Sequence, residues 1–399
     1  MDLLFANLKV IDAASYLAGP GAATVMADYG ADVIKVEPLS GDGYRSLAGN
    51  SRTDPNWQLT SRHKRSIALD LMQKDGRDVL QRLLEDADVL IVNFFDDQLV
   101  RFGIDYASVK RLNPRLIYAR MSGYGTKGEE ARTRGFDSTA WWARTGLMDL
   151  VRDQGQPPVM GSPGFGDHSS AMSLFGAIML GLYRREKSGT GCCVETSLLA
   201  NGIWANGMQV QGAIAGFDLG ERRQAKGWLN PFASAYGTAD NRFVLFAIMN
   251  VVREWPRLCA ALDHPEWLTD ERFGDVRAMF KLRVELKAMI ADAIRTRSLE
   301  DLRASLDAND ITYAVVQNLT EVINDPQARS NGIVLETGSD DPDYQLTVGS
   351  PIQVAEEDKR PPGPAPAIGE HTMELLAELG ISDEEVAELL KRRVVARDD

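Results

Sequence analysis

Between Gly161 and Asn206 the chain reads GSPGFGDHSSAMSLFGAIMLGLYRREKSGTGCCVETSLLANGIWAN, and one acid in it, Asp167, is placed to do chemistry. It stands between a glycine turn and a pattern in which Met172, Phe175, Ile178, Met179 and Leu182 recur at three- and four-residue steps, which predicts a helix. Two roles fit a carboxylate at a helix start. As an N-cap, its oxygens would accept the orphan N–H groups of the first turn. As a covalent acyl carrier, it would be kept ionised by those same N–H groups and the positive helix end. The local pattern leaves both open.

Other chemistries find less support. The four histidines, at positions 63, 168, 264 and 371, include no pair at helical ligand spacing, so no catalytic metal is expected. Cys192, Cys193 and Cys259 are odd in number and form no C-x-x-C motif, which predicts burial rather than redox or metal use. The formal net charge of −13 argues against a nucleic-acid or anionic-membrane surface, while a local cationic pocket for phosphates remains compatible with it. The opening MDLLFANLKVID lacks the basic and apolar regions of a secretory signal, and no apolar run approaches the ~18 residues that span a bilayer. A cytoplasmic location is expected.

The elements that must position Asp167 come earlier in the chain. Leu8 to Ile11 reads as a buried strand, Ala18 to Gly21 as a small-residue turn open to close ligand approach, Ala22 to Tyr29 as a helix, and Asp32 to Val36 as a second strand. Ser66–Leu71, Asp88–Phe94 and Leu116–Met121 read as further strands, separated by helices over Lys74–Ala87 and Leu99–Leu112. Such alternation predicts an α/β fold with an open, mostly parallel sheet. Ligands of these sheets gather beyond the carboxyl ends of the strands, where Tyr16, Leu69, Asn93, Phe94 and Tyr124 fall.

At 399 residues and 44% apolar content the chain suits two cores. A large domain is expected over residues 1–220, with the exit in the glycine-bearing stretch Gln211–Asn230, and a smaller α/β domain over 221–325. Residues 326–399 should return to the large domain, with KRPPGPAPAIGEH as an extended strap and a last amphipathic helix over Asp383–Val394.

The stretch LKVIDAASYLAGPGAATVMADYGADVIKVEPLSGDGYR closely resembles the opening of the class III CoA-transferase family. The resemblance continues through HKRSIALDL, DVLIVNF, LNPRLIYARMSGYG, GFDSTAWWARTGLM, the Asp167 segment with its KSGTG turn, and IGEHTMELLAELGISDEEVAEL, and so covers nearly the whole chain. It implies a Rossmann-like large domain that binds CoA, and an interlocked homodimer of two threaded chains. It implies an enzyme, a transferase of sulfur-containing groups, moving CoA from an acyl-CoA donor to a carboxylic acid acceptor. No tightly bound cofactor is implied, CoA itself being substrate. Asp167 matches the family's nucleophile, which forms an acyl anhydride and then an aspartyl-CoA thioester. Tyr16, Leu17, Leu69, Asn93, Phe94, Arg101, Arg134, Phe136 and Leu198 match CoA-contacting positions. The backbone from Gly164 to His168 is a candidate oxyanion donor.

Departures narrow the expectation. Leu17 stands where formyl-CoA transferases have glutamine, Pro38 replaces an arginine, and their long glycine loop has no counterpart between Gln211 and Gly237. A bulkier or less polar acid than formate or oxalate is expected. Related racemases carry histidine where this chain has Phe136, and phenylalanine cannot move a proton. An acyl-CoA racemase using Asp167 with another base, and a non-catalytic acyl-CoA binding protein, are the competing readings.

Overall fold

The computed structural model describes residues 3–47, 53–152, 155–217 and 229–398. They form two compact units, Met1–Gln211 with Gln327–Asp399, and Gly212–Pro326. Part of the expected exit segment, residues 218–228, lies outside the described residues.

The first unit is built on six strands, β1 (Lys9–Asp12), β2 (Asp32–Glu37), β3 (Lys64–Leu69), β4 (Val89–Val92), β5 (Ile117–Ser122) and β6 (Cys193–Ser197). They lie in the order β3-β2-β1-β4-β5-β6, all parallel, and the short C-terminal strand Val395–Ala396 pairs antiparallel on the outer edge of β3. The central strands are continuous apolar runs such as VLIV because helices cover both faces. On one face Val79, Leu80, Leu83 and Leu84 of helix Lys74–Leu84 join Leu375, Leu376 and Val386 over Ile34, Ile67 and Leu90. On the other, helix Ala18–Asp28 and the Asp167 helix, Phe165–Ser188, pack Val25, Met26, Leu174 and Ile178 over Val33, Ile91 and Ile117. The strand order reverses between β1 and β4, and the crevice above that reversal is where open sheets bind ligands.

Several sequence expectations are corrected. The Gly19–Pro20–Gly21 stretch is the first turn of helix Ala18–Asp28, where proline is tolerated, and its two glycines serve packing, while of the expected Ala18–Gly21 stretch Ala18 lines a cavity. A Cβ at Gly19 would lie 2.5 Å from that of Ala14, and one at Gly21 would lie 3.0 Å from that of Ala171 on the Asp167 helix. The span Leu99–Leu112 is two helices, Asp96–Phe102 and Tyr106–Leu112. Gly103, at φ 70°, ends the first, and Asp105 caps the second by accepting the Ser108 N–H at 3.0 Å. The last helix stops at Lys391, so that the chain can add Val395–Ala396 to the sheet.

From Gln327 the chain packs on the first unit. The stretch Pro361–Pro366 has no helix or strand and is pinned by side chains. The Trp57 indole donates to the Pro366 carbonyl at 3.0 Å, the Tyr344 hydroxyl to that of Gly363 at 3.0 Å, and the Ala365 N–H to Gln58 Oε1 at 2.7 Å.

The second unit pairs Ala235–Gly237, Phe243–Phe246 and Tyr313–Val315 in an antiparallel sheet. Helices Val251–Ala261, Arg283–Arg295 and Leu299–Ala308 cover it through Trp255, Leu258, Leu286, Ile290, Leu302 and Leu306. No helix among the described residues is long and apolar enough to cross a membrane.

Candidate active site

Two adjoining cavities open beyond the carboxyl ends of β1 to β5, and Ser15 and Phe94 line both. One, of about 390 Å³, is walled by Val36, Pro38, Leu39, Leu69, Leu71 and Phe102. The other, of about 280 Å³, is walled by Tyr16, Leu17, Asn93, Arg120, Met121, Arg134, Phe136, Leu198 and Asp167, its one carboxylate.

Asp167 is not a cap. Gly164, at φ 94°, holds the N-cap position of the helix, and Asp167 is its third residue. The capping is done from a distance by Asp137, which begins the π-helical segment Asp137–Ala143. Its buried carboxylate accepts the N–H of Gly164 at 2.6 Å through Oδ2 and that of Gly166 at 2.9 Å through Oδ1. Glycine is required at 166, since a Cβ there would stand 2.2 Å from Asp137 Oδ1 and 2.4 Å from the Trp141 ring.

The consequence for charge is opposite to the sequence expectation. Among the described residues no donor hydrogen-bonds the Asp167 carboxylate. Burial pushes its carboxyl up to about 7, and the neighbouring Asp137 charge adds to the rise. Burial also raises Asp137, against the pull of its two N–H partners. Asp167 is therefore a carboxyl poised near neutrality. The oxyanion expectation is narrowed by the same contacts. The N–H groups of Gly164 and Gly166 are taken by Asp137, and that of His168 by the Gly164 carbonyl at 2.8 Å. Between 164 and 168 only the N–H groups of Phe165 and Asp167 stay without an acceptor among the described residues.

A carboxylate in a ligand-sized cleft is shared by many enzymes, and comparison with known proteins separates them. The sequence profile of CoA-transferase family III matches residues 5–372. The chain belongs to this family. As a family III CoA-transferase it is an enzyme that transfers CoA. It is similar to the (R)-2-hydroxy-4-methylpentanoate CoA-transferase of Clostridioides difficile, at 28% identity over 98% of this chain and 100% of that protein. It is also similar to the succinyl-CoA:mesaconate CoA-transferase of Haloarcula hispanica, at 31% over 94% and 96%. Among solved structures it resembles a CAIB/BAIF family protein from Brucella suis, with a TM-score of 0.83, 27% identity, and coverage of 95% of this chain and 100% of that one.

For a CoA-transferase of family III, the residues singled out in the sequence fall as follows. Tyr16, Leu17, Asn93, Phe94, Arg134, Phe136, Asp167 and Leu198 come together around the smaller cavity, and Leu69 with Phe94 lines the larger. Arg101 lines neither and is exposed on helix Asp96–Phe102. Tyr124 also lies off both walls, packed against the core with Arg144 over its ring. The Asn93 amide is engaged with backbone, its Oδ1 accepting the Ser15 N–H at 3.0 Å and its Nδ2 donating to the Ser15 carbonyl at 2.9 Å. Phe136 lies edge-on to the Tyr16 ring, with centroids 5.9 Å apart.

Sequence reasoning missed Asp137, and it missed Arg120, whose guanidinium pairs with Asp96 at 2.6 Å while lining the cavity. The signal for Arg120 was a lone cation within the otherwise apolar strand IYARMS.

Proposed function

We propose that this CoA-transferase moves CoA between carboxylic acids through a covalent intermediate on Asp167. The observation that carries the reading is this single carboxylate on the wall of a cavity otherwise lined by apolar, neutral polar and cationic residues, with no donor to it among the described residues. An Asp167 oxygen attacks the thioester carbon of the donor acyl-CoA, the C–S bond breaks, and CoA leaves as thiolate from an acyl-aspartyl anhydride. The thiolate then attacks the aspartyl carbon, releasing the donor acid and leaving an aspartyl-CoA thioester. An acceptor carboxylate attacks that carbon, expelling the thiolate and forming a second anhydride. Attack of the thiolate on the acceptor acyl carbon gives the new acyl-CoA and frees Asp167. Each step conserves an activated acyl group that water would discharge, which suits a partly buried nucleophile.

Tyr16, Leu17, Leu69, Asn93, Phe94, Phe136 and Leu198 are proposed as CoA-site residues, with Arg134 meeting a phosphate. Leu17, Met121, Phe136 and Leu198 beside Asp167 favour an acid with an apolar tail. Among the described residues no imidazole, amine or second carboxylate lines the smaller cavity, which weighs against a racemase. We also propose an interlocked homodimer. Leu180, Tyr183, Trp204 and Met208 are large apolar side chains left exposed, Trp204 and Met208 each at 86%, which supports a partner surface.

Incubation of the wild type with acyl-CoA and then hydroxylamine should place a hydroxamate on Asp167, seen as a mass change of its peptide. Transfer should fall about tenfold per pH unit below the Asp167 value of about 7. Transfer without labelling at Asp167 would sink the covalent route. Acceptor-independent exchange of the substrate α-proton for deuterium would instead support a racemase. Acyl-CoA binding that leaves acceptor acids unconverted would leave only a binding protein.

A further inference from the structure

Tyr16 has φ 65°, a left-handed backbone that a tyrosine adopts only under constraint. It sits in the turn that follows β1, after Ser15, and it lines the Asp167 cavity. The constraint is visible on both sides of the residue. Ser15 is clamped by the Asn93 amide through both its N–H and its carbonyl. The N–H of Tyr16 itself is held by Asp42, whose Oδ1 accepts it at 3.2 Å and also accepts the Tyr44 N–H at 2.9 Å.

Asp42 lines neither cavity. It is 3% exposed and forms an ion pair at 2.8 Å with Lys35, which is fully buried and also donates to the Ala14 carbonyl. Its own N–H donates to Glu37 Oε2 at 2.9 Å, and Glu37 is held in turn by Arg45 and by the Ser66 hydroxyl. A buried charged lattice spanning β2 and β3 thus reaches the walls of the cavities at two points, the Tyr16 N–H and Glu37, which lines the larger one. Burying so many charges is costly unless each is paired, and here the pairing converges on Asp42.

We infer that Asp42 is a positioning residue for the CoA site. It holds Tyr16 in the left-handed conformation that sets the tyrosine ring against Phe136 on the cavity wall. Without the acceptor, Tyr16 relaxes toward ordinary backbone angles and the ring leaves its place. The inference rests on reading the cavity as the CoA site.

The test is a double-mutant cycle with free CoA as the probe, binding followed by calorimetry and folding by thermal melting. Asp42→Ala, which removes the acceptor, should weaken CoA binding about tenfold in the wild-type background, the factor that the strain of one left-handed residue corresponds to. In a Tyr16→Gly background, where glycine takes this conformation freely, the same substitution should change affinity by less than about twofold. Equal losses in both backgrounds would make Asp42 a general support of the fold and overturn the inference. If Asp42→Ala alone does not fold, the cycle is run with Lys35→Met, which removes the buried charge that Asp42 neutralises, and there too a loss confined to the Tyr16 background supports the inference and equal losses overturn it. A wild type that does not bind CoA would refute the assignment of the cavity instead. The coupling of Asp42 to Tyr16 is then read from the melting temperatures of the same four proteins, where non-additive changes support it and additive ones overturn it.

Discussion

Replacing Asp167 by Asn should make the protein more stable while abolishing transfer. The folded carboxyl titrates near 7, against 3.8 for an ordinary aspartate, because burial and Asp137 both oppose its charge. It therefore binds its proton more tightly folded than unfolded. Stability is full below pH ~3.8 and declines as the pH rises to about 7, above which the loss is constant. At about 1.4 kcal/mol per pH unit the ceiling on that loss is about 4 kcal/mol, and partial solvent screening of a half-buried group brings it to roughly 2 kcal/mol. Asparagine keeps the shape and never ionises. Asp167→Asn should thus melt with the wild type near pH 4 and outlast it by a few degrees at pH 8. Thermal melts of both proteins at several pH values between 4 and 8 measure the gap directly. An aspartate acting as a cap predicts no gap at any pH, since asparagine caps equally well. Superimposable melts, or a less stable variant, would refute the account of Asp167 as a carboxyl held against its own ionisation.

Arg134→Ala should weaken CoA binding and flatten its dependence on salt, as the loss of a phosphate contact on an acidic protein predicts. Arg101→Ala, on the exposed helix away from both cavities, should do much less, and the reverse ranking in a titration at two salt concentrations would reassign the phosphate site. The proposed interlocked dimer should resist dilution, because separating threaded chains requires unfolding as well as loss of contact. A folded monomer in sedimentation at nanomolar concentration would contradict it.

The parallel sheet was legible because its central strands carry a clear signal: VLIV is an apolar run buried throughout, and Val33, Ile34 and Val36 give DVIKVE an apolar core. At the edges the signal fades. β6, Cys193–Ser197, alternates exposed and half-buried residues and reads as polar loop, and Val395–Ala396 is too short to carry a pattern at all. The candidate nucleophile was legible as a residue but not in its physics. A shift of three residues between an N-cap and the third helical position decides whether backbone N–H groups stabilise its charge or leave it unsupported. Asp137 was illegible because its partners, Gly164 and Gly166, lie 27 and 29 residues further along the chain and meet it only after the π-helical segment has turned its carboxylate toward them. Asp42 and the strain at Tyr16 share that character, since a positive φ at tyrosine is a property of the assembled lattice.

The order in which the chain visits its two units has a consequence for how it is made. The second unit, Gly212–Pro326, is one continuous stretch, whereas the first is split around it. On a ribosome the second unit is complete while the first still lacks Leu375, Leu376 and Val386 from one face of its core, and the strand that pairs with β3. Until then the outer edge of β3 and the apolar face beneath it are bare, in a nascent chain that already carries the whole Asp167 helix. That interval is the window for edge-to-edge pairing with a neighbouring chain. Val395–Ala396 is thus the seal that ends the exposure on this side of the sheet, two residues that pair with Leu69 and Ala68 of β3.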